Sequence, residues 1–192
     1  MSLANLERAL AQGKRKGGVE NRPSDGGQMC GDIDMRIAPD GAWHVMGSPI
    51  GRKRLVKLFS SVLERDESGD FWLVTPAEMC RIRVDDAPFT AVEMPVEGAG
   101  SGQTLIFRTN LDEIVKAGPE NRLRVDIDAK TGEPRPYVHV RGGLEALIVR
   151  AVFYDLVELA EEQERAGETI LGVWSGGTFF EIGGLGENES AG

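Results

Sequence analysis

Lysine and arginine residues cluster at two places where the sequence predicts that a helix begins. Residues 51–54 read Gly-Arg-Lys-Arg and follow Ser48 and Pro49, a pair typical of a helix N-terminus. A helix N-terminus already carries partial positive charge and free N–H groups, so further cations are unfavourable there unless an anion compensates them. The pattern predicts that a phosphate or carboxylate group of a ligand binds beside Arg52.

A second cluster of this kind precedes the longest predicted helix. Arg141 stands directly before Gly142 and Gly143, and Arg135 lies on the strand that leads to them. Flexible glycines, free N–H groups and guanidinium groups together favour an anion site at Arg135 and Arg141. The alternative for both clusters is that the arginines are solvated or pair with acidic residues of the protein, as surface cations commonly do.

Aromatic and hydroxyl side chains would supply the walls of such a site. Trp43, Tyr137 and Trp174 lie on predicted strands, and Thr75 and Ser175 end the strands that carry tryptophans. Because ligand clefts combine apolar walls with a few polar groups, we predict that these residues line a cleft between two units. The competing interpretation places the aromatic residues in the core.

Enzyme motifs are incomplete in this sequence. Ser175, in Val-Trp-Ser-Gly-Gly, lacks the preceding glycine and the following helix of a nucleophile elbow. Residues 98–103 lack the last glycine of a dinucleotide-binding loop and join two predicted strands. His44, His139 and the two cysteines are too few and too scattered for a metal site. We therefore predict a protein that is not an enzyme and that has no catalytic residue, metal or cofactor.

Composition restricts the class of protein further. The chain has 192 residues, 41% of them hydrophobic, and a net charge of −9, which suits a globular protein with its own core. The acidic balance disfavours nucleic-acid binding. No apolar stretch approaches the roughly 20 residues of a membrane span, and the first residues lack the apolar segment of a secretory signal. The two cysteines cannot build a disulfide framework. We expect a soluble, cytoplasmic protein.

Hydrophobic periodicity predicts an α+β fold. One helix is expected to begin at Ser48 and Pro49 and to end before Arg65. A second, over residues 144–162, is apolar on almost every side and should lie between layers or in a subunit interface. Residues 110–116 suggest one or two helical turns. Strands are predicted at residues 33–37, 43–46, 71–74, 81–85, 90–96, 104–108, 122–128, 137–140, 170–174 and 178–182.

These elements group into two similar units. An N-terminal helix and linker (residues 1–28) precede a first α+β unit (29–97) and a second (98–183), and a loose tail (184–192) follows. Each unit is expected to run through an aromatic strand, a glycine turn, a helix, a charged loop and a strand that contains tryptophan. We therefore predict two related strand–helix–strand units with antiparallel sheets.

Several motifs carry a family likeness: GSPIGRKRLVKLFSSVL, LVTPAE, DAPF, RPYVHVRGGLEALIVRAVFYDLVELA and LGVWSGGTFFEIG. Over residues 28–183 the sequence resembles the bacterial domain-of-unknown-function 1285 family. The resemblance implies an α+β protein of two similar units, with a likeness of the second to pleckstrin-homology-like barrels. It also implies a role in signal transduction through a ligand or partner, and it brings no catalytic residues with it.

Three hypotheses about function follow. The first is a non-catalytic regulatory protein that binds a small, anionic ligand in a cleft through Arg52, Arg135 and Arg141. The second is an interaction module without a small ligand, a homodimer or other homo-oligomer in which the helix from Leu144 forms the interface. The third is an unrecognised hydrolase, which requires Ser175, His139 and an acidic residue to converge.

Overall fold

The computed structural model describes residues 28–165 and 168–184. The predicted N-terminal helix and most of the tail lie outside the described residues. The chain divides into a first unit that ends at Pro88 and includes Gly142–Leu144, and a second unit that comprises Phe89–Arg141 and the chain from Glu145 onward. None of the helices in the described residues is long and apolar enough to span a membrane.

The boundary between the units lies earlier than residues 97 and 98, where the sequence suggested it. Residues 90–96 were expected to complete the first unit. The strand that begins at Phe89 instead pairs with strands of the second unit, at Thr109 and at Ala146. Because a strand belongs with the partners that receive its backbone hydrogen bonds, the second unit begins here.

From Gln28 onward, the first unit consists of one sheet and one helix. The sheet has the strand order β3-β2-β1-β6-β5-β4, in which β1 and β6 are parallel and all other neighbours are antiparallel. A disulfide between Cys30 and Cys80 joins β1 to β6. The elements are β1 (Gln28–Ile37), β2 (Trp43–Val45), β3 (Ser48–Pro49), α1 (Lys53–Ser60), β4 (Leu63–Arg65), β5 (Phe71–Val74) and β6 (Glu78–Val84).

Helix α1 is held on this sheet by its apolar face. Leu55, Val56 and Phe59 recur at helical spacing and are all buried. The ring of Phe59 stacks on Trp43 of β2, with 6.2 Å between the ring centroids. Burial of these two aromatic rings links the helix to the sheet.

The start of α1 differs from the prediction. Ser48 and Pro49 form the edge strand β3, which follows a tight turn at Met46 and Gly47, both with positive φ. Proline is tolerated on an edge strand because its missing N–H need not pair there. The helix therefore begins only at Lys53 and ends at Ser60, and Leu63 pairs with Leu73 as part of β4.

The second unit has a larger sheet of order β10-β9-β7-β13-β12-β11, with β8 beside β9, and a smaller sheet of order β14-β15-β16. A short 3-10 helix spans Gly100–Gly102. Its elements are β7 (Phe89–Glu93), β8 (Val96–Glu97), β9 (Thr104–Thr109), β10 (Ile114–Lys116), β11 (Leu123–Ile127), β12 (Pro134–Arg141), β13 (Leu144–Ile148), α2 (Arg150–Glu158), β14 (Glu161–Arg165), β15 (Glu168–Ser175) and β16 (Thr178–Gly184).

The long helix predicted from Leu144 to residue 162 is wrong. Leu144–Ile148 is strand β13, which lies parallel to β7, and helix α2 covers only Arg150–Glu158. A continuous apolar run is compatible with a buried helix and with a strand buried on both faces. Backbone pairing with β7 makes this run a strand. The prediction of a helical turn at 110–116 is also wrong, because Ile114–Lys116 pairs with β9. The prediction of antiparallel sheets holds only in part, because the pairs β1–β6 and β7–β13 are parallel.

The predicted repeat is confirmed in its coarse form, and it is longer than the sequence indicated. The series β1, β2, β3, α1, β4, β5, β6 recurs in the same order as β11, β12, β13, α2, β14, β15, β16. In both series the first two strands are antiparallel, and the last three form an antiparallel meander. The first and last strands are also neighbours in each series. The molecule is therefore an α+β protein of two similar sheet-rich units.

Candidate functional site

The predicted site residues of the first unit mostly support its fold. Trp43 is 2% exposed, so the core interpretation holds for it. The buried Thr75 hydroxyl accepts hydrogen bonds from the N–H groups of Ala77 and Glu78 and closes the turn between β5 and β6. Arg52 is the N-cap residue of α1 in extended conformation, and it has an interaction partner within the protein.

The predicted residues on β12 share one face of that strand. Arg135, Tyr137 and Arg141 are separated by even numbers of residues, so their side chains point to the same side. Arg135 donates to the Tyr137 hydroxyl at 3.1 Å and pairs with Asp128 at 3.4 Å. Tyr137 is buried beneath the guanidinium of Arg124, which lies 4.2 Å from the ring centroid. The structure thus brings Arg135 and Tyr137 into contact, whereas Arg141 lies four residues beyond Tyr137, roughly 13 Å along the strand.

Their charges, however, are balanced by the protein itself. Arg141 pairs with Glu113 through two nitrogens, at 3.2 and 3.4 Å, and its guanidinium lies over the ring of Phe89. Helix α2 begins at Arg150, so no helix N-terminus stands beside Arg141. The predicted anion cradle at Arg135 and Arg141 therefore lacks both the helix N–H groups and the uncompensated positive field that the sequence suggested.

Trp174 and Ser175 close β15 in the second unit. The ring of Trp174 meets Phe179 edge-on. Ser175 is fully buried, and its hydroxyl accepts from the Leu105 N–H and donates to the Ala117 carbonyl, both at 2.8 Å. Because its proton is committed to a backbone carbonyl rather than to a histidine, the serine nucleophile of the hydrolase hypothesis is not formed.

Replacement of Ser175 by alanine tests its structural role. We expect Ser175→Ala to lower the free energy of unfolding by about 2–3 kcal/mol, because a buried N–H and a buried carbonyl both lose their partner. Chemical denaturation measures this. Ser61→Ala is the matched control: its hydroxyl also donates to a backbone carbonyl, but on the exposed end of α1, so we expect about 0.5 kcal/mol. Equal stabilities of the two variants would contradict the bridging role.

A cavity of about 380 Å³ opens on the sheet of the first unit. Its volume is within the range of small-molecule sites. Every residue that lines it lies on β1, β5 or β6, or just before β5. The lining residues are Asp32, Ile33, Gly69, Asp70, Phe71, Arg81, Ile82, Arg83 and Val84.

An irregularity of the parallel pair β1–β6 accompanies this cavity. Asp32 is the partner of Arg81, and Arg36 is the partner of Arg83. Residues 33–35 therefore lie opposite the single residue Ile82. Such a bulge bends the strand and interrupts the ladder of hydrogen bonds. We attribute the hollow between the two strands to this bulge.

One end of the cavity carries an excess of negative charge. Arg81 binds Asp32 in bidentate fashion, at 2.6 and 2.9 Å, and also contacts Asp70 at 3.3 Å. The hydrogen bonds from Arg81 lower the pKa of the Asp32 carboxyl. Because two carboxylates share one guanidinium, this end has a net charge of −1 at neutral pH.

The other end carries the opposite charge. Asp85 accepts from Arg83 Nε at 2.9 Å and from Arg36 Nε at 2.7 Å. The hydrogen bond from Arg36 is the main reason that the pKa of Asp85 is lowered. Two guanidiniums here share the Asp85 carboxylate, and the charge of Asp40 also acts on Arg36, so the positive charge of this end is that of Arg83. The Arg83 side chain is 76% exposed, and within the described residues its terminal nitrogens donate to no other group.

Sequence reasoning missed these charged residues. The signal that marks them is the two-residue spacing of Asp32, Asp34 and Arg36, and again of Arg81, Arg83 and Asp85. That spacing places each set on one face of a strand. It does not show that the two strands are neighbours, because they are distant in sequence and their parallel pairing has no turn to fix its register.

Comparison with protein families matches residues 26–87 to the N-terminal domain of unknown function DUF1285 and residues 88–182 to the C-terminal domain of the DUF1285 proteins of unknown function. The chain belongs to the DUF1285 family. The resemblance seen in the sequence motifs is thereby confirmed. The junction of the two matches also agrees with the division of this DUF1285 protein between Pro88 and Phe89.

Two solved DUF1285 structures are similar to this DUF1285 chain. A family protein from Silicibacter pomeroyi DSS-3 is 46% identical, with a TM-score of 0.79, and the match covers 92% of this chain and 95% of that one. A family protein from Shewanella baltica OS155 is 22% identical, with a TM-score of 0.51 over 66% of this chain and 91% of that one, and shows the fold alone. A search of curated proteins found no match.

Proposed function

We propose that this DUF1285 protein is a non-catalytic regulatory protein that binds a small ligand with an anionic group in the cavity of the first unit. The observation that carries the proposal is the position of Arg83. Arg83 lines the cavity, its side chain is 76% exposed, and it shares its carboxylate partner with a second arginine. A role in signal transduction, as the family resemblance implied, would follow if ligand binding altered contacts with another molecule.

The chemistry of the arginine side chain supports this choice of ligand. A guanidinium offers a planar fork of N–H donors that matches a carboxylate or phosphate. Arg83 uses Nε on Asp85, so its terminal nitrogens remain for such a group. Arg135 and Arg141 are weaker candidates because their carboxylate partners, Asp128 and Glu113, would have to be displaced first.

The experiment is a binding titration with simple anions. We expect caproate and inorganic phosphate to bind the wild-type protein with an affinity that falls as salt is added, because the site is exposed to solvent. Arg83→Gln should weaken binding at least about tenfold, equivalent to roughly 1.4 kcal/mol. Calorimetry or ligand-observed NMR measures this, and NMR of the recovered ligand tests that it is chemically unchanged.

Arg150→Gln is the matched control for this titration. The Arg150 side chain is 69% exposed and pairs with one carboxylate, that of Glu133, so it resembles Arg83 in exposure but lies in the second unit. We expect the affinity of this variant to equal that of the wild type. If Arg83→Gln and Arg150→Gln bind equally well, or if no anion binds, the proposed site is wrong.

Homo-oligomer formation is the second candidate function. Helix α2 exposes Tyr154 at 58% and Val157 at 39%, and these large apolar side chains lie one turn apart. We propose a second copy of the chain as the partner for this face in that case. Light scattering of the wild type and of Tyr154→Glu tests it, and a wild-type monomer at high concentration would remove it.

We propose that the second unit is related to pleckstrin-homology-like barrels, on the strength of its seven-stranded sheet followed by helix α2.

We also propose a cytoplasmic location, for which the Cys30–Cys80 pair provides the test. Thiols of cytosolic proteins are kept reduced, so alkylation in acid-quenched cells should trap both as thiols. Recovery of the disulfide would indicate an oxidising compartment instead.

A further inference from the structure

The two ends of the cavity in the first unit carry opposite charge. At one end Asp32 and Asp70 share Arg81, and at the other Arg83 and Arg36 share Asp85. Arg81 and Arg83 are two residues apart on β6, which separates their backbone positions by roughly 7 Å. The cavity therefore has a negative end and a positive end that are separated by about the length of a short organic molecule.

Apolar residues contribute to the cavity lining as well. Ile33, Phe71 and Val84 line the cavity together with the charged residues, and Ile82 occupies the point where the strands bulge apart. Phe71 is only partly buried. Because Ile82 and Val84 alternate with Arg81 and Arg83 along β6, a ligand that spans the two ends would have the aliphatic stems of these two arginines beside its middle part.

Building on the proposed function, we infer that the ligand is a zwitterion with a short apolar spacer. Its carboxylate would bind the terminal nitrogens of Arg83, and its ammonium group would bind Asp32 and Asp70 beside Arg81. An ω-amino acid and a dipeptide with free termini both have this chemistry. A ligand of high negative charge, such as a nucleoside polyphosphate, is disfavoured because part of it would meet the two carboxylates.

Matched ligands of equal length test the inference. We expect ε-aminocaproate to bind the wild-type protein at least about tenfold more tightly than caproate or hexylammonium, each of which has one of the two charged groups. A dipeptide with free termini is compared with its amidated form, which distinguishes a peptide from a free amino acid as the source of this chemistry. Calorimetry at low salt provides the dissociation constants.

Substitutions at the negative end test whether its carboxylates bind the ammonium group. Asp70→Asn should bring the affinity for ε-aminocaproate down to that for caproate and leave caproate binding equal or tighter. Asp32→Asn, at a position whose side chain is 70% exposed, is a second variant of the same end should the first fail to fold. Glu133→Gln, which removes an exposed carboxylate of the second unit, should change nothing.

The outcomes separate this inference from the proposed function. If ε-aminocaproate and caproate bind equally to the wild type and both lose affinity in Arg83→Gln, the zwitterion is wrong and the anion site stands. If hexylammonium binds as tightly as ε-aminocaproate, or no ligand responds to Arg83→Gln, both are overturned. A preference for the zwitterion that Asp70→Asn or Asp32→Asn abolishes supports both.

Discussion

Reduction of the Cys30–Cys80 disulfide is expected to lower the free energy of unfolding by about 4 kcal/mol. The bond joins residues 50 positions apart, and closing a loop of that length removes much of the conformational entropy of the unfolded chain. It also links β1 to β6, which are parallel strands without a short connection of their own. Denaturant unfolding with and without dithiothreitol measures the effect.

The experiment must distinguish the effect of losing the covalent bond from the effect of changing a cysteine side chain. The reduced wild-type protein keeps both sulfur atoms and loses only the covalent link. The variant Cys30→Ser without reductant also loses the link, but it retains the Cys80 side chain, which is fully buried. We expect reduced wild type and Cys30→Ser to have similar stability, and Cys30→Ser to be insensitive to dithiothreitol. A wild-type stability that does not respond to reductant would contradict the assignment of the disulfide.

Phe59→Ala is expected to destabilise the first unit by about 3–5 kcal/mol. Phe59 has no solvent exposure and its ring stacks on Trp43, so the shortened side chain leaves a cavity between α1 and β2. Urea unfolding followed by tryptophan fluorescence measures this loss, because Trp43 and Trp72 both report on the first unit.

Tyr154→Ala is the control for the loss of an aromatic ring. Tyr154 lies on α2 in the second unit and is 58% exposed, so its truncation leaves no cavity and should change the stability by about 0.5 kcal/mol or less. If Phe59→Ala were as mild as Tyr154→Ala, the packing of α1 on the sheet through the Trp43–Phe59 pair would be wrong.

The internal repeat explains why part of the fold was predictable. In both series a strand, a tight turn, a second strand and a helix follow each other, and the turns at Met46-Gly47 and Gly142-Gly143 have positive φ. Glycine is the residue that adopts this conformation without strain. The sequence shows these turns through its glycines, and it shows most strands through alternation of apolar and polar residues.

The same reasoning failed where two structures satisfy one pattern. Leu144–Ile148 is apolar enough for a buried helix or for a buried strand, and only the place between β7 and β12 makes it a strand. Ser48 and Pro49 satisfy the rules for a helix start, yet they pair with β2. In both cases backbone hydrogen bonds to a distant segment outweigh a local preference.

The amino-acid sequence by itself determined the family, the α+β composition, the two similar units and most of the strands. These properties depend on local periodicity, on turn residues and on motifs that are read along the chain. Only the tertiary structure decided which charges remain available. Arg141 meets Glu113 and Arg135 meets Asp128, whereas Arg83 shares Asp85 with Arg36. The physical reason is that an ion pair depends on distance in space, and the parallel pairing and bulge of β1 and β6 join charges that are far apart in sequence.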